Sequence, residues 1–315
     1  MTTSVGRFTL RSLVLALALA LMALGSAQGA GWPRTFTNAD GSTTVIPSQP
    51  QRILSTSVSV TGSLLAIDAP VVASGSAGNG TYFAQWAGVA DARGVVNVWP
   101  AGAVDLEAAY AVEPDLIVVS TSGADSTLDQ LAELQAIAPT IVVDYGGQTW
   151  QELATQLASA VGIEAHAAEV IADFDAYVAA AKIQIHVPAG TANIISFNGA
   201  GTTNPIGRAV GPHAQLLSSL GFVIEDPDVA WHTQASLRND FVWAEFERLT
   251  DLTSETTFLL RFGPDGVASF VSEPVLANMP SVKAGQVYGL GVNSFRIDYY
   301  SAIEIVDSIV AEFGN

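Results

Sequence analysis

The stretch GIEAHAAEVIADFDAYVAAAKIQIHVP, Gly162 to Pro188, decides how the chain is organised. Good helix formers dominate it, Ala168, Ile171, Phe174 and Val178 recur at helical spacing, and Pro188 closes it. At about 1.5 Å per residue such a helix reaches well over about 30 Å, enough to cross between two lobes. A long amphipathic helix inside one large domain has the same periodicity.

On either side lie short, β-branched, fully apolar runs: Leu116–Val119 and Thr140–Val143 before it, Asn193–Phe197 and Thr257–Leu260 after it. Alternating with helical stretches, they predict α/β architecture of the doubly wound kind, with sheets covered on both faces. A weak internal repeat favours two lobes. Gly62–Val72 before the long helix has a counterpart in His213–Ile224 after it, and Val104–Tyr110 is echoed by Ala244–Leu249. The predicted division is a lobe over 31–161, a connecting helix over 162–188 and a second lobe over 189–315, with a cleft between the lobes.

Residues 1–30 read as a signal peptide: Arg7 and Arg11, then the apolar run Leu13–Leu24, then small residues up to Ala30. No second long apolar run follows, so a soluble exported protein is expected. The absence of cysteine excludes thiol catalysis, thiolate metal sites and a lipid-anchoring cysteine, and predicts a freely diffusing periplasmic or secreted protein. Twelve basic residues against thirty acidic give a charge of −18, and loss of Arg7 and Arg11 takes it to −20. That field argues against nucleic acid. An anionic small molecule then needs a local cluster of arginines.

Between Ser55 and Ser63 six of nine residues carry hydroxyl groups, in a strand-to-helix loop that predicts Ser59 or Thr61 as the helix N-cap. Loops at the carboxyl ends of strands are where open sheets hold ligands. Catalytic signatures are missing: no G-x-S-x-G elbow, no G-x-G-x-x-G, no phosphate-binding loop. His166 and His186 fall near the ends of the connector, and the spacing of His213 and His232 matches no metal motif, so no metal site is expected. Arg93, Arg208, Arg238 and Arg296 fall in or beside loops, interleaved with Tyr82, Phe83, Trp86, Trp231 and Tyr299. Guanidinium groups and aromatic faces together suit a planar, delocalised anion.

The segments Trp32–Gly75, Pro114–Ser126, Ile137–Tyr145 and Gly285–Ile309, above all ILSTSV-x-x-TGSLLAIDAPV and FR-x-DYYSA, resemble periplasmic ferric-siderophore-binding proteins of ABC transporters, of the ferric-enterobactin type. The resemblance runs over nearly the whole mature chain. It implies two Rossmann-like lobes joined by a single long rigid helix, the class III arrangement, with only small closure around the ligand. It also implies capture of a ferric catecholate siderophore by a monomer without cofactor or enzymatic activity, and delivery to an inner-membrane permease, the iron being held by the siderophore.

Arg296 matches the FR-x-DYY block and is the foremost ligand-contacting candidate. Before Gln85-Trp86 the family can carry an arginine where this chain has Ala84, so Arg93 is the substitute. The family's tryptophan after the connector is unmatched, leaving Trp231 from a neighbouring loop. Ser57 and Ser59 are expected at the cleft mouth, with Arg208, Arg238 and Tyr299 as further contacts. Glu107 and Glu247, with Glu245 as the alternative to the latter, match the acids through which such proteins dock on their permease. Haem, cobalamin or a hydroxamate siderophore is the alternative cargo, with Tyr82, Tyr299 or His213 as axial candidates for haem. An exported hydrolase and a cargo-independent partner protein are more distant readings.

Overall fold

The computed structural model describes residues 31–314; the expected signal segment lies outside them. A hairpin of β1 (Arg34–Thr37) and β2 (Thr43–Ile46) leads into the first lobe. There β3 (Ile53–Ser55), β4 (Val71–Ser76), β5 (Val96–Pro100), β6 (Leu116–Ser120) and β7 (Thr140–Val143) form a wholly parallel sheet in the order β5-β4-β3-β6-β7. Successive side chains go to opposite faces. Leu116 and Val118 therefore enter one core while Ile117 and Val119 enter another, and every residue of β6 is buried. This double burial explains the unbroken apolar runs in the sequence.

The second lobe orders β8 (Ala192–Ile195), β9 (Thr203–Gly207), β10 (Phe241–Glu245), β11 (Thr256–Leu259) and β12 (Val287–Gly289) as β10-β9-β8-β11-β12. Only β8, β11 and β12 are parallel; β9 is antiparallel to both its neighbours. The segment between β8 and β9 is too short for a crossover helix, so the chain turns back as a hairpin. The repeat predicted from sequence therefore holds for the helix α6 (Pro212–Leu220), the counterpart of α1 (Val58–Ala66), and fails at Ala244–Leu249, which is strand and 3-10 turn where the first lobe has helix.

Also used below are α2 (Ala84–Ala92), α3 (Leu106–Ala111), α4 (Trp150–Val161), the connector α5 (Glu164–Gln184) and α7 (Tyr299–Phe313). Thr149 and Glu152 form a reciprocal cap that starts α4, and Gly162, at φ 78°, ends it in the left-handed conformation that glycine adopts without strain. The connector begins two residues later and spans about 32 Å. Its buried stripe is Ala167, Phe174, Val178 and Ala181, whereas Ala168 faces solvent, one position from the predicted register.

A second brace accompanies the connector. After β12 the chain returns to the first lobe, where the beginning of α7 packs on α1 and α2. The helix then runs back, and Phe313 at its end packs among Phe222, Phe258 and Tyr288 of the second lobe. Where α4, α5 and α7 meet, Trp150, Phe174 and Tyr299 form an edge-on cluster with ring centroids 5.0–6.0 Å apart. One apolar core consequently runs from Ile53 and Val118 through the hinge to Ile194 and Phe258.

Candidate functional site

The carboxyl ends of both sheets face a cleft of about 490 Å³, within the range of small-molecule sites. Tyr82 and Phe83, just before α2, and Gln85, in its first turn, line its first-lobe wall; Arg261, Phe295 and Arg296 line the other. Arg261 follows β11 almost directly and Arg296 lies in the segment returning from β12.

Their guanidinium carbons stand over the same ring, 5.0 and 4.7 Å from the Phe295 centroid, and Arg296 also lies 5.5 Å from the ring of Tyr145. Arg261 donates to the Asn198 side chain. Burial, and then the neighbouring Arg296 charge, hold Arg261 below the ordinary arginine range. Among the described residues neither arginine has a carboxylate within ion-pairing distance. Two like charges held side by side favour an anion that neutralises both.

The remaining predicted arginines are already engaged. Arg238 makes two 2.8 Å bonds to the carboxylate of Asp240, which holds it above the usual range. Arg208 lies 3.8 Å from Asp226 and donates to the Arg238 carbonyl. Arg93 lies outside the cleft wall and pairs with Asp68, which also meets His166 at 3.0 Å beside the start of the connector. Arg261, absent from the predicted set, takes the place expected of Arg93. Its signal in the sequence was its position just past a buried strand.

Several aromatics also move. Trp86 is fully buried in the first-lobe core, 5.0 Å from Tyr82, so Tyr82 and Phe83 form the aromatic wall in its stead. Tyr299 packs in the hinge cluster, and Trp231 packs against the outer core of the second lobe with Ile195 and Phe246. Neither is among the cleft-lining residues.

The hydroxyl run is internal. Ser57 is fully buried and donates to Asp125 at 2.6 Å, and the same carboxylate oxygen accepts the Ser59 amide at 2.9 Å. Asp125 therefore caps α1 from a distant loop, and Ser57, at the N-cap position, makes no side-chain cap bond. Thr61 joins Ser55 and Ser74 in the same buried network. Neither of the two serines expected at the cleft mouth lines the cleft; Ser59 borders a separate small cavity with Tyr145, His213 and Arg296. Leucine at Ser57 is thus expected to cost about 3–5 kcal/mol of stability through overpacking and the loss of its hydrogen bond to the charged Asp125, which keeps only the Ser59 amide there. Thermal unfolding of Ser57→Leu tests this, and an unchanged midpoint would refute it.

His213 is fully buried; its Nε2 donates to the Ser294 carbonyl at 2.8 Å, and burial pushes its pKa down to about 4. His232 uses both ring nitrogens on backbone groups, Ser236 carbonyl and Trp243 amide. Among the described residues no group of three or more His, Asp or Glu side chains is placed to hold a metal ion. Glu107 on α3, Glu247 and Glu245 are all exposed, and Tyr110 is exposed one turn beyond Glu107. A groove of about 530 Å³ also runs along the connector, lined by Trp150, Ile171, Val178, Lys182 and Leu216. Helix flanks form its walls and Asp175 shares it with its single cation, so it lacks the convergent charge of the cleft.

Comparison with known proteins agrees with this architecture. The family model described as periplasmic binding protein matches residues 53–196. The ferric enterobactin-binding periplasmic protein FepB of Escherichia coli O6:H1 (strain CFT073) is 38% identical over 313 residues, 96% of this chain and 98% of its own. The crystal structure of holo-ViuP superposes with a TM-score of 0.89 at 52% identity, covering 90% of this chain and 96% of that one. The catecholate-siderophore-binding protein VctP of Vibrio cholerae, at 17% identity and a TM-score of 0.62, shares the fold over 89% of this chain and 99% of its own. The chain belongs to the periplasmic binding protein family.

Proposed function

We propose that this chain is an exported, monomeric solute-binding protein that captures a ferric catecholate siderophore between its lobes and hands it to an inner-membrane ABC permease. The observation behind the proposal is the unpaired Arg261–Arg296 couple on Phe295, facing Tyr82 and Phe83 across the cleft. A ferric tris-catecholate is a compact trianion built of aromatic rings. Two guanidinium groups offset two of its three charges and the rings match its faces, and in a strongly acidic protein only such a local cluster retains an anion. The name of the Escherichia coli relative supports the same cargo. Iron enters as part of the cargo, held by the siderophore, and the protein performs capture rather than chemistry.

Titration of the mature protein with ferric enterobactin, followed by tryptophan fluorescence, tests the proposal. Trp86 lies one ring behind Tyr82 and serves as the reporter. Saturable quenching by the catecholate, with ferrichrome, haemin and cobalamin inert, is expected. A response to one of those three and none to the catecholate would overturn it.

Delivery makes a separate prediction. Glu107→Ala combined with Glu247→Ala is expected to leave ferric enterobactin affinity unchanged and to abolish uptake in cells carrying the cognate permease. Unimpaired uptake by the double variant would remove both acids from the docking role.

A further inference from the structure

The segment Ser294–Asp298 crosses from the second lobe to the first, and each of its ends is fastened to a different body. At the second-lobe end the Ser294 hydroxyl accepts the Arg261 amide at 3.0 Å and its carbonyl accepts His213. At the first-lobe end Asp298 is buried against α1 and α2. One oxygen of its carboxylate accepts Gln85 Nε2 at 3.0 Å; the other accepts the amides of Tyr300 and Ser301 at 2.9 and 3.0 Å. Gly62 makes room for it. A Cβ there would stand 2.6 Å from the carboxylate oxygen and 2.9 Å from the Trp86 ring, so a side chain at position 62 would displace Asp298.

We infer that Asp298, held by Gln85, is the positioning residue for Arg296: the pair latches the first-lobe end of the crossing segment and so sets where the guanidinium stands in the cleft. A continuous set of bonds makes the connection. The Ser301 hydroxyl accepts the Asp298 amide at 3.0 Å and donates to the Arg296 carbonyl at 2.7 Å. The Arg296 main chain is thereby tied through Ser301 and Asp298 to a first-lobe side chain. Arg296 stands between the two anchors, while Arg261 is fixed to the second lobe by its place after β11. Arg261 is thus fixed to one body while Arg296 hangs from a segment tied to both, and the latch determines their spacing.

Burial pushes the Asp298 carboxyl up to about 6, against the hydrogen bonds from Ser301, Gln85 and Tyr300 and with Glu304 of α7 adding repulsion. Tyr300, adjoining it, also feels Arg93 and Asp68. A protonated carboxyl has one acceptor oxygen fewer for its three donors, so the Gln85 bond is expected to weaken as pH falls through about 6.

The inference rests on the cleft being the cargo site, and the test separates the two. Gln85→Leu and Asp298→Asn are compared with the unaltered protein by amide hydrogen exchange without ligand, and by ferric enterobactin titration between pH 5 and 8. In Gln85→Leu, exchange at residues 295–301 is expected to rise about tenfold while the C-terminal half of α7 is unaffected, and affinity to fall about tenfold, the loss of one hydrogen bond to a charged group. The affinity of Asp298→Asn, relative to the unaltered protein, is expected to lose the step near pH 6. Unchanged exchange in folded Gln85→Leu, or parallel pH profiles, would overturn the latch. Failure of the unaltered protein to bind the catecholate would refute the cargo, and ligand-free exchange alone would then decide the latch.

Discussion

Alanine at both Arg261 and Arg296 is expected to weaken ferric enterobactin binding by about a thousandfold or more, the largest functional effect of any pair in the cleft. Each guanidinium offers charge-assisted hydrogen bonds of about 1.5–3 kcal/mol, or roughly ten- to a hundredfold in affinity. The losses should not add simply, because both groups contact Phe295 and repel each other. Removing one relieves repulsion in the empty cleft, so each single variant is expected to be slightly more stable than the parent while binding less tightly. Calorimetric titration of the singles and the double, with thermal midpoints alongside, measures both quantities. A double variant within threefold of the parental affinity would place the cargo elsewhere.

Acidification is expected to act through two buried groups with opposite signs. His213 stays neutral in the fold down to about pH 4, whereas the unfolded chain protonates near 6.5, so its contribution is full above 6.5 and lost as pH falls towards 4. Asp298 takes up its proton at about 6 in the fold and near 3.8 when unfolded, so the fold gains over that window as pH falls. At 1.36 kcal/mol per pH unit each amounts to roughly 2 kcal/mol at pH 4.5, and they largely offset each other. His213→Gln is expected to gain about 2 kcal/mol on going from pH 7.5 to 4.5 relative to the parent, and Asp298→Asn to lose about as much. Urea unfolding at the two pH values reads this out, and parallel behaviour of all three proteins would show that neither group is buried as described.

The parts of this molecule that could be read from sequence are those whose cause is local. Thr140–Val143 is predicted and found as strand because burial on both faces forces an unbroken apolar run. The connector is legible because a helix of its length leaves a long periodic record, with Phe174 and Val178 buried as the spacing predicts and Ala167 in the place of Ala168. Arg296 was found through the FR-x-DYY block, and the structure places it in the cleft. Arg261 has no motif around it, and only the position of β11 distinguishes it from other lone arginines. The hydroxyl run reads as a strand-to-helix loop, but only Thr56 and Ser57 lie between β3 and α1; Ser59, Thr61 and Ser63 belong to the helix. The burial of the run is not legible because the Asp125 that satisfies Ser57 comes from 68 positions away. Asp298 and Gln85 are 213 positions apart, so no periodicity records their bond. Trp86 and Tyr299 show the remaining ambiguity, since aromatic rings serve cores and ligand walls alike.

The last helix of the chain completes its first lobe. A polypeptide that emerges N-terminus first presents residues 31–161 long before Tyr299 arrives, and until then the α1–α2 surface around Gly62 and Trp86 lacks its cover. Packing of the first lobe therefore waits for Tyr299–Phe313, a contact of very high sequence separation that slows folding. A nascent or truncated chain ending before α7 leaves that apolar face uncovered, and such surface is prone to aggregate.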